Sequence, residues 1–136
     1  MTTTGAMCDY LEDALINHVL RNIALTSPTT VYVALFTVDP TDAGTMTNEV
    51  TNVGSAYVRQ SVAFGAPGGG ITSNSGTVTF PTATADWGTV GWFLITDLVT
   101  YKAGNALLHC QLDIAKPINI GDTARFNAGD LSVTFD

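Results

Sequence analysis

Charge is scarce in this chain, and positive charge is scarcest. Of its 136 residues 12% are Asp, Glu, Lys or Arg, against roughly 25% in an ordinary soluble domain. Only five are Lys or Arg, and the net charge is -7. Those five (Arg21, Arg59, Lys102, Lys116 and Arg125) are scattered along the chain. Binding to nucleic acid needs cations gathered on one face to displace phosphate counterions, so nucleic acid is excluded as a partner. Cysteine stops at Cys8 and Cys110, with no CxxC and no four-ligand zinc pattern. Two lone thiols are read as packed small hydrophobes rather than a bridge. No uninterrupted apolar run approaches the ~18 residues of a membrane span. The N-terminal "MTTTGAMCDYLEDAL" has no basic region ahead of an apolar stretch. The expectation is a soluble protein of the cytoplasm where it is made, neither secreted nor membrane-bound.

Signatures of chemistry are missing as well. There is no G-x-S-x-G elbow for a hydrolase, and "APGGGIT" lacks the Lys-Ser/Thr of a phosphate loop. The D-x-D-x-D-G spacing of a calcium loop is absent too. No catalytic, cofactor-binding or metal-ligating residue is predicted, no cofactor is expected, and the chain is read as not being an enzyme.

What is present is apolar residue, 46% of the chain, in two periodicities. In "DYLEDALINHVLRNI", Leu11, Leu15 and Val19 recur every four residues, with Ile16, Leu20 and Ile23 widening the stripe. Asp9 and Glu12 suit the positive end of a helix dipole, and Ser27-Pro28 stops continuation, so a helix is predicted within 9–24. Residues 1–8 are read as a polar N-terminal arm. From residue 30 to 136 the period changes to two. "TVYVALFT" and "GTVGWFLITD" are apolar on both faces and read as central strands. "AYVRQSVAF" reads as half-exposed, and "GTVTF", "NALLHCQLD", "TARF" and "LSVTFD" complete seven or eight strands. One helix followed by strands without βαβ alternation predicts a single mainly-β domain over residues 1–136. Its architecture is an antiparallel β-sandwich, jelly-roll-like, with one N-terminal α-helix. Val38 to Ser55 and Gly65 to Gly76 are long for connections and read as mobile or contact-making loops.

Several residues invite a site and are read more plainly. "NIGDT" and "NAGDL" pair a glycine with an aspartate where apolar runs begin or end, the chemistry of turns rather than of a metal clip. Asp39 and Asp42 in "DPTDAG" are equally unspecific. His18 and His109 are read as packed or surface residues, and Gly68 to Gly70 as a flexible loop. Trp92 is read as a core residue and Trp87 as rim packing, with Tyr57 and Tyr101 near loops. An exposed Trp87 would instead form a sugar-stacking platform. So few charges on so apolar a chain favour a subunit that covers part of its surface with partners.

The ordered set "YLEDALINHVL", "TVYVALFT", "YVRQSVAFG", "TVTFP", "ADWGTVGWFLITD" and "GDTARFNAGDLSVTFD" resembles small structural proteins of tailed bacteriophages, particularly of the cyanophage and actinobacteriophage type. The resemblance runs from about Asp9 to Asp136. Proteins of this kind are head decoration or cement proteins, or tail-fibre-like components. The resemblance implies a virion protein on the head surface, synthesised in the host cytoplasm. It would be a capsid cement that bridges neighbouring major capsid protein subunits and stabilises the shell as a homo-oligomer, a trimer ahead of a dimer. The alternative it implies is a tail-fibre or host-recognition module that uses Trp87 and loop residues to bind a cell-surface glycan.

Overall fold

A computed structural model describes residues 3–135. As the sequence pattern predicts, the fold is mainly β, with one large antiparallel sheet and one short helix. The elements in chain order are β1 (Thr3–Met7), α1 (Asp9–Leu20), β2 (Val31–Phe36), β3 (Gln60–Val62), β4 (Ile71–Ser73), β5 (Val78–Thr79), β6 (Gly88–Thr96), β7 (Ala106–Ile118), β8 (Arg125–Phe126) and β9 (Ser132–Thr134). The large sheet has the order β1-β7-β6-β2-β3, and two short ribbons pair β4 with β9 and β5 with β8.

The pairs β6–β7, β5–β8 and β4–β9 are nested. They form one long hairpin that starts at the turn between Asp97 and Asn105 and runs outward to Ile71 opposite Thr134. The result is a five-stranded antiparallel sheet and two two-stranded ribbons that share one core with it. Val33 and Leu35 of β2 face this sandwich core with Phe93 and Ile95 of β6, Cys110 and Leu112 of β7, and Phe80, Phe126 and Leu131. The alternate residues Ala34, Phe36 and Leu94 lie on the other face with Cys8 and Ala106. Both faces of β2 and β6 are therefore buried, which is why these segments read as apolar without interruption.

Three boundaries differ from the sequence reading. Residues 3–7 are not a free arm but the edge strand β1, in register with β7 from Thr3 opposite Leu112 to Met7 opposite Leu108; residues 1 and 2 lie outside the described residues. The helix ends at Leu20 rather than at 24. Asn22 adopts the left-handed conformation (φ 54°), and the amide of Ile23 donates to the carbonyl of Asn17. A residue in the left-handed region just past the last turn is a common helix stop. The third is "AYVRQSVAF": β3 covers only Gln60–Val62, Val58 is exposed, and Arg59 is buried.

Candidate interaction surface

The most connected polar group in the molecule is internal. Arg59 and Glu49 form an ion pair (Nε to Oε1, 2.8 Å) whose side chains are both fully buried. The guanidinium also donates to Glu49 Oε2 and to the carbonyls of Leu98 (2.7 Å) and Ala103 (2.8 Å). Glu49 accepts in addition from Tyr57 Oη and from the amide of Lys102, each at 2.9 Å. Burial, reinforced by the charge of Glu49, pushes the Tyr57 hydroxyl far up, so it remains a protonated donor. Every polar atom of this centre has a partner, and the centre pins the 38–55 loop and the β6–β7 turn to the sheet. It is an anchor for loops rather than a place for a ligand. The sequence reading missed it. Its one signal is an arginine inside a strand-like stretch of a chain almost without cations.

The other nominated residues also resolve into structure. Trp87 is 4% exposed; its indole donates to the Ser55 carbonyl at 2.9 Å and it packs edge-on against Tyr57 and Phe80. It is the core tryptophan, while Trp92 is only partly buried, the reverse of the expected roles. A sugar platform built on Trp87 is thereby ruled out. In the two Gly-Asp turns, Asp122 accepts from the amide of Asn119 and Asp130 from that of Asn127, with Gly121 and Gly129 at φ 90° and 87°. His109 Nε2 lies 2.7 Å from Asp42 Oδ1, tying β7 to the 38–55 loop, with Asp39 at 3.5 Å from Nδ1. His18 bridges the helix to the segment after it through Ile23 and Leu25. Cys8 and Cys110 are free and buried, as packed thiols are expected to be. Burial, with the nearby acids Asp42 and Asp9, pushes the Cys8 thiol up to about 12; burial, with Cys8 beside it, does the same to Cys110, again to about 12. Among the described residues no group of three or more His, Cys, Asp or Glu is placed to hold a metal ion, and no helix is long and apolar enough to cross a membrane.

What the fold leaves uncovered is apolar. The predicted stripe of α1 is only half used: Leu11 and Leu15 are half-buried, and no side chain of the helix is fully buried. Ile16, Val19 and Leu20 are exposed, Val19 at 71% and Leu20 at 77%, and Ile23 just beyond is exposed too. Beside the inner edge of α1 lies an open groove of about 390 Å³ lined by Leu11, Val31, Phe64, Ile71, Val133 and Phe135, among others. Its lining is almost wholly apolar, and both Ile71 and Phe135 stand exposed at its rim. An uncovered helix face and an apolar groove thus lie on the one domain.

Compared with known families, the chain matches over residues 6–134 the model of the family described as Podophage GP4 fiber I protein gp80. No curated protein matches the chain.

Proposed function

Because this chain belongs to the Podophage GP4 fiber I protein gp80 family, it is a phage structural protein, and we propose that it serves in the virion as a component of a tail fibre. The observation that carries this reading is the extent of the match, which begins in β1 and ends in β9 and so covers the whole described fold rather than one segment. A family described by its fibre favours the fibre reading over the capsid cement that the sequence suggested. The family is a podophage one, and the cyanophage or actinobacteriophage type is not part of what the match supports.

The role is one of contact, without chemistry. The long 38–55 loop is tied down by Glu49 and Arg59, and apolar side chains stand uncovered on α1 and around the groove. Such a module contributes shape and adhesion to an assembly. Recognition of a glycan through Trp87 is dropped from the proposal, because that ring lies inside.

The test is location. Antibody raised against the purified protein, carried on gold and viewed by electron microscopy on intact virions, is expected to mark the tail fibres. Quantitative mass spectrometry of the same virions is expected to give a copy number set by the fibres rather than by the shell. Gold over the head, with a copy number that follows the major capsid subunit, would overturn the fibre reading and restore cement.

A further inference from the structure

The outer face of α1 is an anomaly for an isolated domain. A helix of 12 residues is marginal in water unless tertiary packing holds it, yet its own domain covers Leu11, Ala14, Leu15 and Asn17 only in part and buries none of its residues fully. At 100° per residue, Ile16 and Leu20 lie on the side opposite Leu11, and Val19 flanks them. We propose that this face is the self-association surface of the protein, and that its occupant is a second copy of the same chain, packed helix against helix in antiparallel sense.

Area supports a partner of protein size. The exposed parts of Ile16, Val19 and Leu20 amount to roughly 350 Å² of apolar surface. A standard interface buries about 800 Å² on each partner, a little over half of it apolar. The patch therefore supplies most of the apolar share that a stable dimer needs.

Charge fixes the sense of the packing. The apolar residues lie in the C-terminal half of the helix and just beyond it, whereas Asp9, Glu12 and Asp13 are all exposed in the N-terminal half. Two helices side by side in parallel would bring the two acidic ends together, and like charges at contact repel. Antiparallel overlap of residues 16–20 joins the apolar halves and sends the acidic halves to opposite ends. A two-fold axis near Val19 satisfies this with one surface used twice. The same acids, on a chain of net charge -7, disfavour an anionic lipid surface as the occupant. The chain's own continuation is also accounted for: after the stop at Asn22, residues 23–26 turn back beside Tyr10, Asp13, Ala14 and Asn17.

The proposal does not depend on the place of the protein in the virion, and its test uses the purified full chain. Light scattering after size exclusion is expected to give a mass of twice 14.3 kDa, and the variant carrying both Val19→Asp and Leu20→Asp is expected to halve it with an unchanged circular dichroism spectrum. A second measurement does not require that variant to fold. Val19→Cys under mild oxidation is expected to cross-link two chains, and Glu12→Cys to remain uncross-linked. A wild-type mass of one chain or of three, or a double variant that keeps the wild-type mass, overturns the proposal. Cross-linking of Glu12→Cys as readily as Val19→Cys overturns the antiparallel arrangement. Vesicle binding by a chain that is monomeric in solution would assign the face to lipid instead and overturn the proposal equally.

Discussion

Replacing Arg59 with methionine keeps the length of the side chain and removes its charge and donors. Glu49 would then be left fully buried without its cation, keeping only the Tyr57 hydroxyl and the Lys102 amide. The carbonyls of Leu98 and Ala103 would lose the donor that reaches both. Breaking a buried pair on one side costs about 3–5 kcal/mol, because an uncompensated charge remains inside. A domain of this size holds about 5–15 kcal/mol in all, so Arg59→Met removes a large share of the stability. At about 4 °C per kcal/mol for a chain of this length, the melting temperature falls by about 12–20 °C. The assay is urea unfolding followed by circular dichroism, with a thermal scan beside it. The double variant Glu49→Leu/Arg59→Met is the sharper test, read against Glu49→Leu and Arg59→Met alone. It removes both charges, so its loss is expected to be smaller than the sum of the two single losses by about 1–3 kcal/mol. A single variant within about 1 kcal/mol of wild type, or a strictly additive double variant, would refute the view that this pair anchors the loops.

Three further outcomes follow from buried groups. At pH 8 neither Cys8 nor Cys110 is expected to react with an aromatic disulfide reagent in the folded protein, because both thiols are held up to about 12 and so remain protonated; both should react at once in denaturant. Each folded thiol binds its proton more tightly than the ordinary thiol at 9.0. Their contribution to stability is therefore complete below about pH 9 and declines as pH rises towards 12, which unfolding midpoints across that range would read. Trp87→Phe keeps an aromatic ring beside Tyr57 and Phe80 but removes one of the two donors to the Ser55 carbonyl, leaving it the Thr84 amide at 3.2 Å. The expected loss is about 0.5–1.5 kcal/mol in urea unfolding, and a neutral result would mean that this bond carries no net weight.

What could be read in advance was whatever depends on near neighbours. Val33 and Leu35 alternate with Ala34 and Phe36 in four consecutive residues, and that period alone identifies a strand buried on both sides. The two Gly-Asp turns close within three residues, so their chemistry is written locally. The features that escaped depend on residues far apart in the chain. β1 carries no apolar alternation, and its pairing is specified by β7, about a hundred residues further on by simple numbering. Trp87 is internal because the Ser55 carbonyl and the ring of Tyr57 arrive from a distant loop. Arg59 reads as the outward residue of a half-exposed strand until Glu49 is placed across from it. The outer residues of α1 read only as part of an apolar stripe, because periodicity shows that a helix has an apolar face without showing what will cover it.

The nested hairpin also determines how the chain finds its shape. Taken separately, the pairing of Ile71 with Thr134 requires the ends of a very long loop to meet, and such encounters are slow. The turn at its tip removes that difficulty. Asp97 accepts from both the amide and the side-chain nitrogen of Asn105, closing a loop of only a few residues. Once β6 lies against β7, the next loop to be closed, from β5 to β8, is already short, and after it the loop from β4 to β9. Each step lowers the entropy cost of the following one. The ribbon can thus zip from its tip outward, a sequence of local events producing contacts of long range. Changes near Asp97 then act on the rate of folding, and changes near Thr134 on the rate of unfolding.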